Sequence, residues 1–538
     1  MDSAAAPHGV RRTRLFAGIC LALIPTGAAF ALISNVLGQL KEEFILTNYQ
    51  AGLIGGAALW GMAISLLVLG PLLEGYGMKK GAVLAFVGHI LGLTLLISAV
   101  TLRDNPAAAF TVLMCGAILL AGGNGMIEVV GNPLTAALYP EDKTTKLNLF
   151  HAFFPMAILI AGIVGYTLNQ MADVAGGFFH RWTFQLGIVY IPMIVYGILL
   201  LPQNFPPTEN TAAGIPVKEM FRYTLTSPLM YALLLMMAIA ISLELGSGRW
   251  IPEVFARLGV PGILLLSWIA FIMMMLRLFA SHFVERLSPP GMLCGAAVFT
   301  GIGLVLFSAA QGTLSAFLAA TFFGVGVAFF FPTIVGIVSE RLPRTGSLGI
   351  VLTCGVGLAA AGAVGVPAIG LIGDRQLARY LDAGERRGEA IALLSRAEER
   401  LPEYIARADR ASVDELRRLG YRASDVERAL AATRHALADY NQQGRIAGEA
   451  VPNALRAIVG SGIPADDEPL IAGAAGVINP AEGYGGQQAL RSVAPFTVVL
   501  VLFFGAMYLS DRRRGGYRVE RLEMRAAAGS PGGGRGSL

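Results

Sequence analysis

The chain has 538 residues, of which 55% are hydrophobic and only 14% are charged, and its formal net charge is +5. Soluble domains carry about 25% charged residues, so this composition excludes an ordinary soluble protein and favours lipid as the solvent. The positive charge does not indicate a nucleic-acid partner, because the basic residues lie mainly at the ends of apolar segments. The four cysteines all fall inside apolar stretches, which predicts packing residues rather than a disulfide framework or a metal site.

Apolar stretches long enough to cross a bilayer as a helix recur along the whole chain. They predict spans at residues 14–40, 47–73, 80–101, 109–139, 145–170, 183–202, 226–246, 261–287, 290–310, 313–341, 346–373 and 493–510. We therefore expect an all-α membrane protein with twelve transmembrane helices in two six-helix bundles. The expected parts are an N-terminal bundle (1–202), a cytoplasmic linker (203–225) and a C-terminal bundle (226–373 plus 493–512).

The segment between the eleventh and twelfth spans, residues 374–492, is charged and free of Lys. Its apolar pattern predicts a small helical domain, with helices starting near Ser412 and Ser424, followed by a Gly/Pro-rich tether at about 460–488. We expect this insertion to lie outside the cytoplasm as a solvated lid or extension. Lys and Arg are concentrated in the short loops on the side of the N-terminus. This bias predicts cytoplasmic termini in a bacterial inner membrane, with a flexible tail at 513–538.

The loop between the second and third spans carries the first motif. It runs from Gly70 to Lys80 and resembles the signature loop of the major facilitator superfamily, with Glu74 for the usual Asp and Gly75 for the usual Arg. The resemblance implies a breakable latch between two helix bundles, formed by Glu74, Lys79 and Lys80.

A related pattern occurs at the same place in the second half and includes Arg277 within the eighth span. We count Arg277 among the gating residues and expect its long stem to carry the guanidinium toward the inner surface. The repeat of the motif supports an internally repeated transporter fold.

The fourth span carries Asn124, Glu128 and Asn132 at intervals of four residues, so their side chains share one helix face. A charged group at the bilayer centre costs about 2.5–3.5 kcal/mol even on a mild insertion scale. Glu128 is therefore protonated, paired or exposed to a cavity, and we predict that it lines a solute cavity.

The fifth span carries Asn148 and His151 three residues apart, followed by Phe154. Residues three apart share a helix face, which makes Glu128 and His151 plausible neighbours across the helix pair. Such a pair can exchange a proton near neutral pH. A structural hydrogen-bonded pair that only joins the two helices is the alternative.

The Glu-x-x-x-Asn-Pro sequence from Glu128 to Pro133, together with residues 147–149 and 44–53, resembles the fucose and glucose/galactose proton symporter family over about the first 170 residues. In that family the acid matching Glu128 binds sugar and helps to couple protons, and the resemblance implies the same roles here.

This chain departs from that family at several positions. Ser34, beside Asn35, stands where the fucose transporter has its proton-carrying Asp, and His151 and Phe154 stand where it has sugar-contacting Gln and Asn. We therefore expect His151 to share the proton coupling, and we expect a solute other than fucose. Glu244 and Trp250 near the outer end of the seventh span are expected to meet an incoming sugar, although Trp250 could serve only as an interfacial anchor.

These observations predict a secondary active transporter, not an enzyme, that moves a small polar solute, a sugar or related compound, by alternating access with proton coupling. No cofactor or metal is expected, and a monomer should suffice. The predicted solute-binding residues are Glu128, Asn132, Asn124, His151, Asn148, Phe154, Ser34, Asn35, Glu244 and Trp250. Two other functions stay open: an exporter of amphipathic compounds, favoured by Phe154, and a membrane sensor or scaffold that transports nothing.

Overall fold

The computed structural model describes residues 11–44, 48–103, 105–171, 174–260, 262–411, 421, 423–463 and 469–520, and every regular element within these ranges is helical. Eleven of the described helices are long and apolar enough to cross a membrane, and the shorter apolar helix Leu264–Leu278 completes a set of twelve. The predicted all-α fold of a multi-pass membrane protein is therefore confirmed.

The N-terminal half contains six membrane helices: α1 (Arg12–Phe44), α2 (Asn48–Ile64), α3 (Met78–Ser98), α4 (Pro106–Leu138), α5 (Lys143–Asn169) and α6 (Tyr190–Leu200). Irregular turns and a short helix continue α2 to Tyr76, and the helix Trp182–Gly187 precedes α6. With these extensions the six helices follow the predicted apolar stretches within a few residues. Local chemistry explains the start of α4, since the side chain of Asn105 accepts a hydrogen bond from the backbone N–H of Ala108. Pro106 occupies the first helical position, where its missing N–H is tolerated.

The C-terminal half repeats this plan with more interruptions. Helix α7 (Pro228–Ile241) continues through a π-helical turn, Ser242–Gly246, into the helix Ser247–Arg257. The remaining membrane helices are α8 (Gly262–Leu278 and the first part of Ala280–Ala309), α9 (the second part of Ala280–Ala309), α10 (Thr313–Val327 and Phe330–Arg341), α11 (Gly346–Ala360, the π turn Ala361–Gly365 and Val366–Leu381) and α16 (Phe496–Arg513).

The boundary between α8 and α9 lies at Ser288, whose φ of 58° and ψ of 160° interrupt the helix just before Pro289 and Pro290. The left-handed φ is costly for a residue with a Cβ, and a pair of prolines cannot continue a helix. The two prolines therefore mark the end of the eighth span, as the predicted break between residues 287 and 290 requires.

The insertion between α11 and α16 contains α12 (Glu385–Arg410), α13 (Ala423–Gln443), α14 (Ala450–Val459) and α15 (Pro469–Val493). Its apolar side chains form a hydrophobic core separate from that of the membrane bundle, with Leu394, Ala429, Leu455 and Ile478 among its members. The predicted helical insertion is confirmed, and its helix near Ser424 begins at Ala423. The start predicted near Ser412 lies outside the described residues.

The predicted Gly/Pro-rich tether is wrong, because most of it is the regular helix α15. Its glycines permit close packing rather than flexibility. A Cβ on Gly483 would come within 2.5 Å of Leu258, one on Gly485 within 2.7 Å of the Gly373 carbonyl, and one on Gly486 would overlap Val254. The insertion is therefore joined to α7 and α11 by close helix packing, and no hinge separates α11 at residue 373 from its extension to Leu381.

Candidate functional site

A cavity lies between the two halves, near the middle of the membrane helices. It is lined from the N-terminal half and the C-terminal half by Thr26, Phe30, Ala58, Leu59, Met62, Asn124, Glu128, His151, Phe154, Ile241, Glu244, Leu245, Arg277, Phe331 and Leu358. Its volume is about 60 Å³. One water molecule needs about 10–15 Å³ on the same measure, so several water molecules fit. Glu128 thus faces a cavity, as predicted.

On the N-terminal side, Asn132 bridges Glu128 and His151. Its Nδ2 donates to Glu128 Oε2 at 2.7 Å, and its Oδ1 lies 2.9 Å from His151 Nε2. The direct separation of Glu128 Oε2 and His151 Nε2 is 3.7 Å. Because the amide oxygen can only accept, His151 must carry a proton on Nε2 in this arrangement. The predicted proximity of Glu128 and His151 is confirmed, and Asn132 provides a hydrogen-bonded link between them.

Asn124 extends this polar face toward the periphery. Its Oδ1 lies 2.9 Å from His89 Nε2, and His89 Nδ1 lies 2.9 Å from the Tyr196 hydroxyl. These bonds tie α4 to α3 and α6 through fully buried groups. His89, which sequence patterning marks only as a packing residue, supports Asn124 from behind the cavity wall.

On the C-terminal side, Arg277 and Glu244 lie next to each other on the cavity wall, with Arg277 Nη2 3.5 Å from Glu244 Oε1. Arg277 Nε donates to the Ala328 carbonyl at 2.5 Å, and Nη1 donates to the His151 carbonyl at 3.0 Å. Only 3% of Arg277 is exposed. The prediction that Arg277 reaches the inner surface is therefore wrong, because acceptors inside the bundle hold it in the cavity.

Two prolines explain why those carbonyls are available. In a helix the carbonyl of residue i accepts from the N–H of residue i+4, and Pro155 and Pro332 occupy that position relative to His151 and Ala328. A proline has no N–H, so each carbonyl is left without its helical donor. Arg277 takes both, and its bond to His151 crosses from one half of the protein to the other.

Two buried polar atoms on the cavity wall have no hydrogen-bond partner among the described residues: Thr26 Oγ1 and Glu244 Oε2. Thr26 was not predicted as a site residue, although its position after Pro25 inside α1 is a usable signal. Glu244 lies in the π-helical turn of α7 rather than near the outer end of the span. Irregular turns of this kind often occur at functional sites.

The cavity also has aromatic walls. Phe154 lines it as predicted, and its ring centroid lies 6.3 Å from that of Phe30. The ring of Phe331 lies 5.0 Å from that of His151. Phe30 and Phe331 are additional lining residues, because a phenylalanine in an apolar span carries no sequence signal that separates cavity walls from lipid-facing positions.

Five predicted binding residues do not line this cavity: Asn132, which reaches it only through Glu128 and His151, and four residues that lie farther away. Asn148 donates to the Thr144 carbonyl and Thr333 Oγ1, and Ser34 is exposed and bonds within its own helix. Asn35 donates to Gln185 Oε1 at 2.8 Å, and Trp250 Nε1 donates to the Val366 carbonyl at 3.0 Å. The bonds of Asn35 and Trp250, and that from Asn148 to Thr333, connect different helices, whereas Ser34 bonds only within its own helix. Within the described ranges, no group of three His, Cys, Asp or Glu side chains could hold a metal ion.

The predicted latch differs from the expected one in its chemistry. Glu74 accepts hydrogen bonds from the hydroxyls of Thr208 at 2.5 Å and Thr211 at 2.7 Å in the linker, and from Ser347 at 2.7 Å at the start of α11. Lys79 and Lys80 are exposed, and no ion pair within the described part of the chain includes them. Glu74 therefore joins the halves through hydroxyl groups rather than through a cation.

Further contacts join the halves at the same end, which we call the linker end. Lys143 Nζ lies 2.7 Å from Glu209 in the linker, and Glu340 Oε1 accepts from the backbone and hydroxyl of Thr144 at 2.9 and 2.7 Å. Glu340 Oε2 accepts from the Tyr517 hydroxyl at 2.7 Å. The first residues of the predicted flexible tail are thus packed against α10, and residues 521–538 lie outside the described ranges.

Comparison with known proteins adds independent information. The sequence profile of the Major Facilitator Superfamily matches residues 19–379. The L-fucose-proton symporter of Escherichia coli is 30% identical over 154 residues, which cover 28% of this chain and 34% of the symporter. The 3-(3-hydroxy-phenyl)propionate transporter of Escherichia coli is 25% identical over 213 residues, covering 39% of this chain and 49% of that protein. The chain thus spans about a third to a half of the length of these curated relatives.

A solved structure shows the fold. The crystal structure of the Major Facilitator Superfamily transporter FucP in the outward conformation has a TM-score of 0.53 at 20% identity, over 67% of this chain and 92% of that chain.

Proposed function

This chain belongs to the Major Facilitator Superfamily, a family of transporters and not of enzymes, and from that membership we propose that it is a proton-coupled secondary transporter of a small polar solute. The membrane helices would rock as two bundles about the central cavity, which opens to one side of the membrane at a time. The single observation that carries the proposal is the bridge from Glu128 through Asn132 to His151 at the cavity wall.

The bridge suits proton coupling because it joins a carboxyl group to an imidazole inside the membrane. A buried carboxylate without a cation is costly, so a proton or a solute group should accompany each opening and closing of the cavity. Glu128 would take the proton from the side to which the cavity is open, and His151 would stabilise the carboxylate through Asn132 when the proton leaves.

A sugar or related compound is the first solute class to test. The motif from Glu128 to Pro133 resembles that of sugar symporters, and the L-fucose-proton symporter among the relatives supports the same class. A second class is small amphipathic compounds, which the aromatic walls formed by Phe30, Phe154 and Phe331 favour. The similarity to a 3-(3-hydroxy-phenyl)propionate transporter supports this class. Export of such compounds is the corresponding alternative direction of transport.

The linker end would be the cytoplasmic gate, closed by Glu74, Glu340 and Lys143, with both termini cytoplasmic and the insertion on the opposite side. The proposed location is a bacterial inner membrane, and one copy contains a complete cavity, so a monomer would suffice. The proposal includes Asn124 as a cavity residue and Asn148, Ser34, Asn35 and Trp250 as supporting residues of the bundle.

Uptake by the purified full-length chain in liposomes tests the proposal. Labelled L-fucose, D-xylose and 3-(3-hydroxyphenyl)propionate are offered with and without an acidic exterior. Acid-stimulated accumulation of one solute, lost in Glu128→Gln and kept in the exposed-site control Lys80→Gln, is the expected result. Binding of a solute without flux in any gradient would instead favour a sensor or scaffold and would contradict the proposal.

A further inference from the structure

Arg277 is the one Lys or Arg among the residues described as lining the central cavity, and it has unused hydrogen-bonding capacity. A guanidinium carries five N–H groups, and three acceptors are described for Arg277: the carbonyls of Ala328 and His151, and Glu244. The contact with Glu244, at 3.5 Å, is long for a charge-assisted hydrogen bond. Two N–H groups therefore remain for a ligand, in the planar arrangement that suits a carboxylate.

Thr26 Oγ1 and Glu244 Oε2 line the same cavity, and both are more than nine-tenths buried without a partner among the described residues. An unsatisfied buried polar atom is costly, which favours a ligand that supplies the missing hydrogen bonds. Glu244 Oε2 can only accept from a ligand donor such as a hydroxyl group, and Thr26 can donate or accept. Glu244 belongs to the C-terminal half and Thr26 to the N-terminal half.

We propose that the solute is a small hydroxylated monocarboxylic acid, whose carboxylate pairs with Arg277 and whose hydroxyl group donates to Glu244. The inference rests on the proposed function for its transport step and names the solute class of that site. The apolar walls formed by Phe30, Phe154 and Phe331 would contact the carbon skeleton, either the ring of a hydroxyaromatic acid or the apolar face of a sugar acid.

Charge balance connects this solute to the proton. The charged and titratable side chains that face the cavity are Glu128 from α4, His151 from α5, Glu244 from α7 and Arg277 from α8. With both carboxyl groups ionised and His151 neutral, the cavity carries one net negative charge. Entry of one carboxylate together with one proton on Glu128 leaves that net charge unchanged. No covalent bond of the solute changes, and the proton and carboxylate leave together on the other side.

Binding of matched solutes to the purified full-length protein tests the solute class without requiring transport. The probes are 3-hydroxybenzoate, its alcohol 3-hydroxybenzyl alcohol and its deoxy analogue benzoate, together with D-glucuronate and D-glucose. Ligand-induced shifts in the melting temperature give an affinity for each probe. We expect one of the two acids to bind about tenfold or more tightly than its neutral partner, since it gains a charge-assisted bidentate contact. Comparison of the two acid families decides between an aromatic acid and a sugar acid.

Three variants separate the roles of the side chains. Arg277→Gln should remove the preference for acids, and Arg277→Lys should keep a weaker preference, which retains a test if the Gln variant does not fold. Glu244→Gln should reduce the advantage of 3-hydroxybenzoate over benzoate, or of D-glucuronate over a deoxy analogue, while the preference for a carboxylate remains. Arg222→Gln, an exposed linker position, is the matched control for the loss of one positive charge.

Equal binding of acids and neutral partners by the unmodified protein would overturn the inference, as would an unchanged acid preference in a folded Arg277→Gln variant. The outcome is distinct from failure of the proposed function. Acid-driven uptake of neutral sugars alone would support proton-coupled transport and contradict the carboxylate site. Selective binding of acids without flux in any gradient would support the site and contradict the transport proposal.

Discussion

The two sides of the central cavity are built differently. On the N-terminal side, Asn132 forms hydrogen bonds with both Glu128 and His151, at 2.7 and 2.9 Å. On the C-terminal side, Arg277 and Glu244 meet at 3.5 Å, and Glu244 Oε2 has no partner among the described residues. A carboxyl and an imidazole linked by hydrogen bonds can hold or pass a proton without a ligand, whereas an ion pair with an unpaired buried oxygen gains most when a ligand arrives. The comparison supports our proposal that the N-terminal side handles the proton, while Arg277 and Glu244 on the C-terminal side, with Thr26 opposite them, recognise the solute.

The largest effect is expected from Glu128→Gln. The substitution keeps the size of the side chain and an oxygen acceptor for Asn132, but the new side chain cannot be ionised. Truncating a buried charge that is hydrogen-bonded costs about 2–5 kcal/mol, so acid-driven uptake should fall by on the order of a hundredfold. Exchange of labelled for unlabelled solute, which needs no net proton movement, should be much less affected. Parallel uptake and exchange assays in liposomes measure both, and equal loss of the two would contradict the assignment.

The C-terminal side can be tested without touching a charged group. Pro155→Ala and Pro332→Ala restore backbone N–H groups that compete with Arg277 for the carbonyls of His151 and Ala328. Loss of a buried hydrogen-bond partner costs about 1–3 kcal/mol, which predicts about tenfold weaker solute binding when both are replaced. Removing a proline from a helix should at the same time raise or preserve the melting temperature.

Binding assays and thermal unfolding on the same samples separate these effects. Pro402→Ala in α12 is the matched control, since it also removes an intrahelical proline but lies in the insertion, which has its own hydrophobic core. Unchanged affinity in the double variant would show that the proline-freed carbonyls do not position Arg277.

A smaller effect is expected at the linker end, where Glu74→Gln weakens three hydrogen bonds to Thr208, Thr211 and Ser347 without altering either side of the cavity. Hydrogen bonds to a charged acceptor are about twice as strong as neutral ones. The ratio of closed to open linker end should therefore fall severalfold. Labelling of a cysteine introduced at Thr345, which is buried beside this cluster and donates to the Leu342 carbonyl rather than to Glu74, reports opening in the Glu74→Gln and unmodified backgrounds. A labelling rate unchanged by the substitution would exclude Glu74 as part of the gate.

The smallest effect is expected at an ion-pair cluster around Arg456 in the insertion. Arg456 in the insertion contacts Glu482 at 2.6 Å and Asp374 at 3.2 Å, and about a third of its side chain is exposed. Burial alone would lower the pKa of Arg456, but the two carboxylates raise it, so it remains charged throughout the neutral range. Its contribution would be lost only as pH rises through that raised pKa.

Partly exposed ion pairs contribute at most about 1 kcal/mol, so Arg456→Met should lower the melting temperature slightly and equally between about pH 6 and 9. Solute affinity should not change. A large loss of solute affinity in this variant would mean that the insertion, and not only the two sides of the cavity, takes part in solute binding.

The N-terminal side could be predicted from sequence because it follows helix periodicity. Asn124, Glu128 and Asn132 recur every four residues, and His151 lies on the next helix across a short loop. Local geometry therefore predicts their proximity. The bridging role of Asn132 follows only from side-chain positions, since the spacing alone fits direct contact equally well.

The C-terminal side was mispredicted because its contacts depend on helix irregularities and on long-range packing. Arg277 on a regular span would extend toward water, and two proline-freed carbonyls from other helices reverse that outcome. The π turn that carries Glu244 has no distinctive sequence pattern either. The glycines of α15 show a similar limit, since a Gly-rich segment is a poor helix former until neighbouring helices pack closely against it.

The continuity of α11 beyond residue 373, together with the glycine-mediated packing of α15 on α7, joins the insertion to the C-terminal half by regular helix and close helix contacts. If the two halves rock as proposed, an antibody fragment bound to α12 or α13 should move with the C-terminal half. The insertion thus offers an attachment site from which the proposed alternating access can be followed, with no label placed near the cavity.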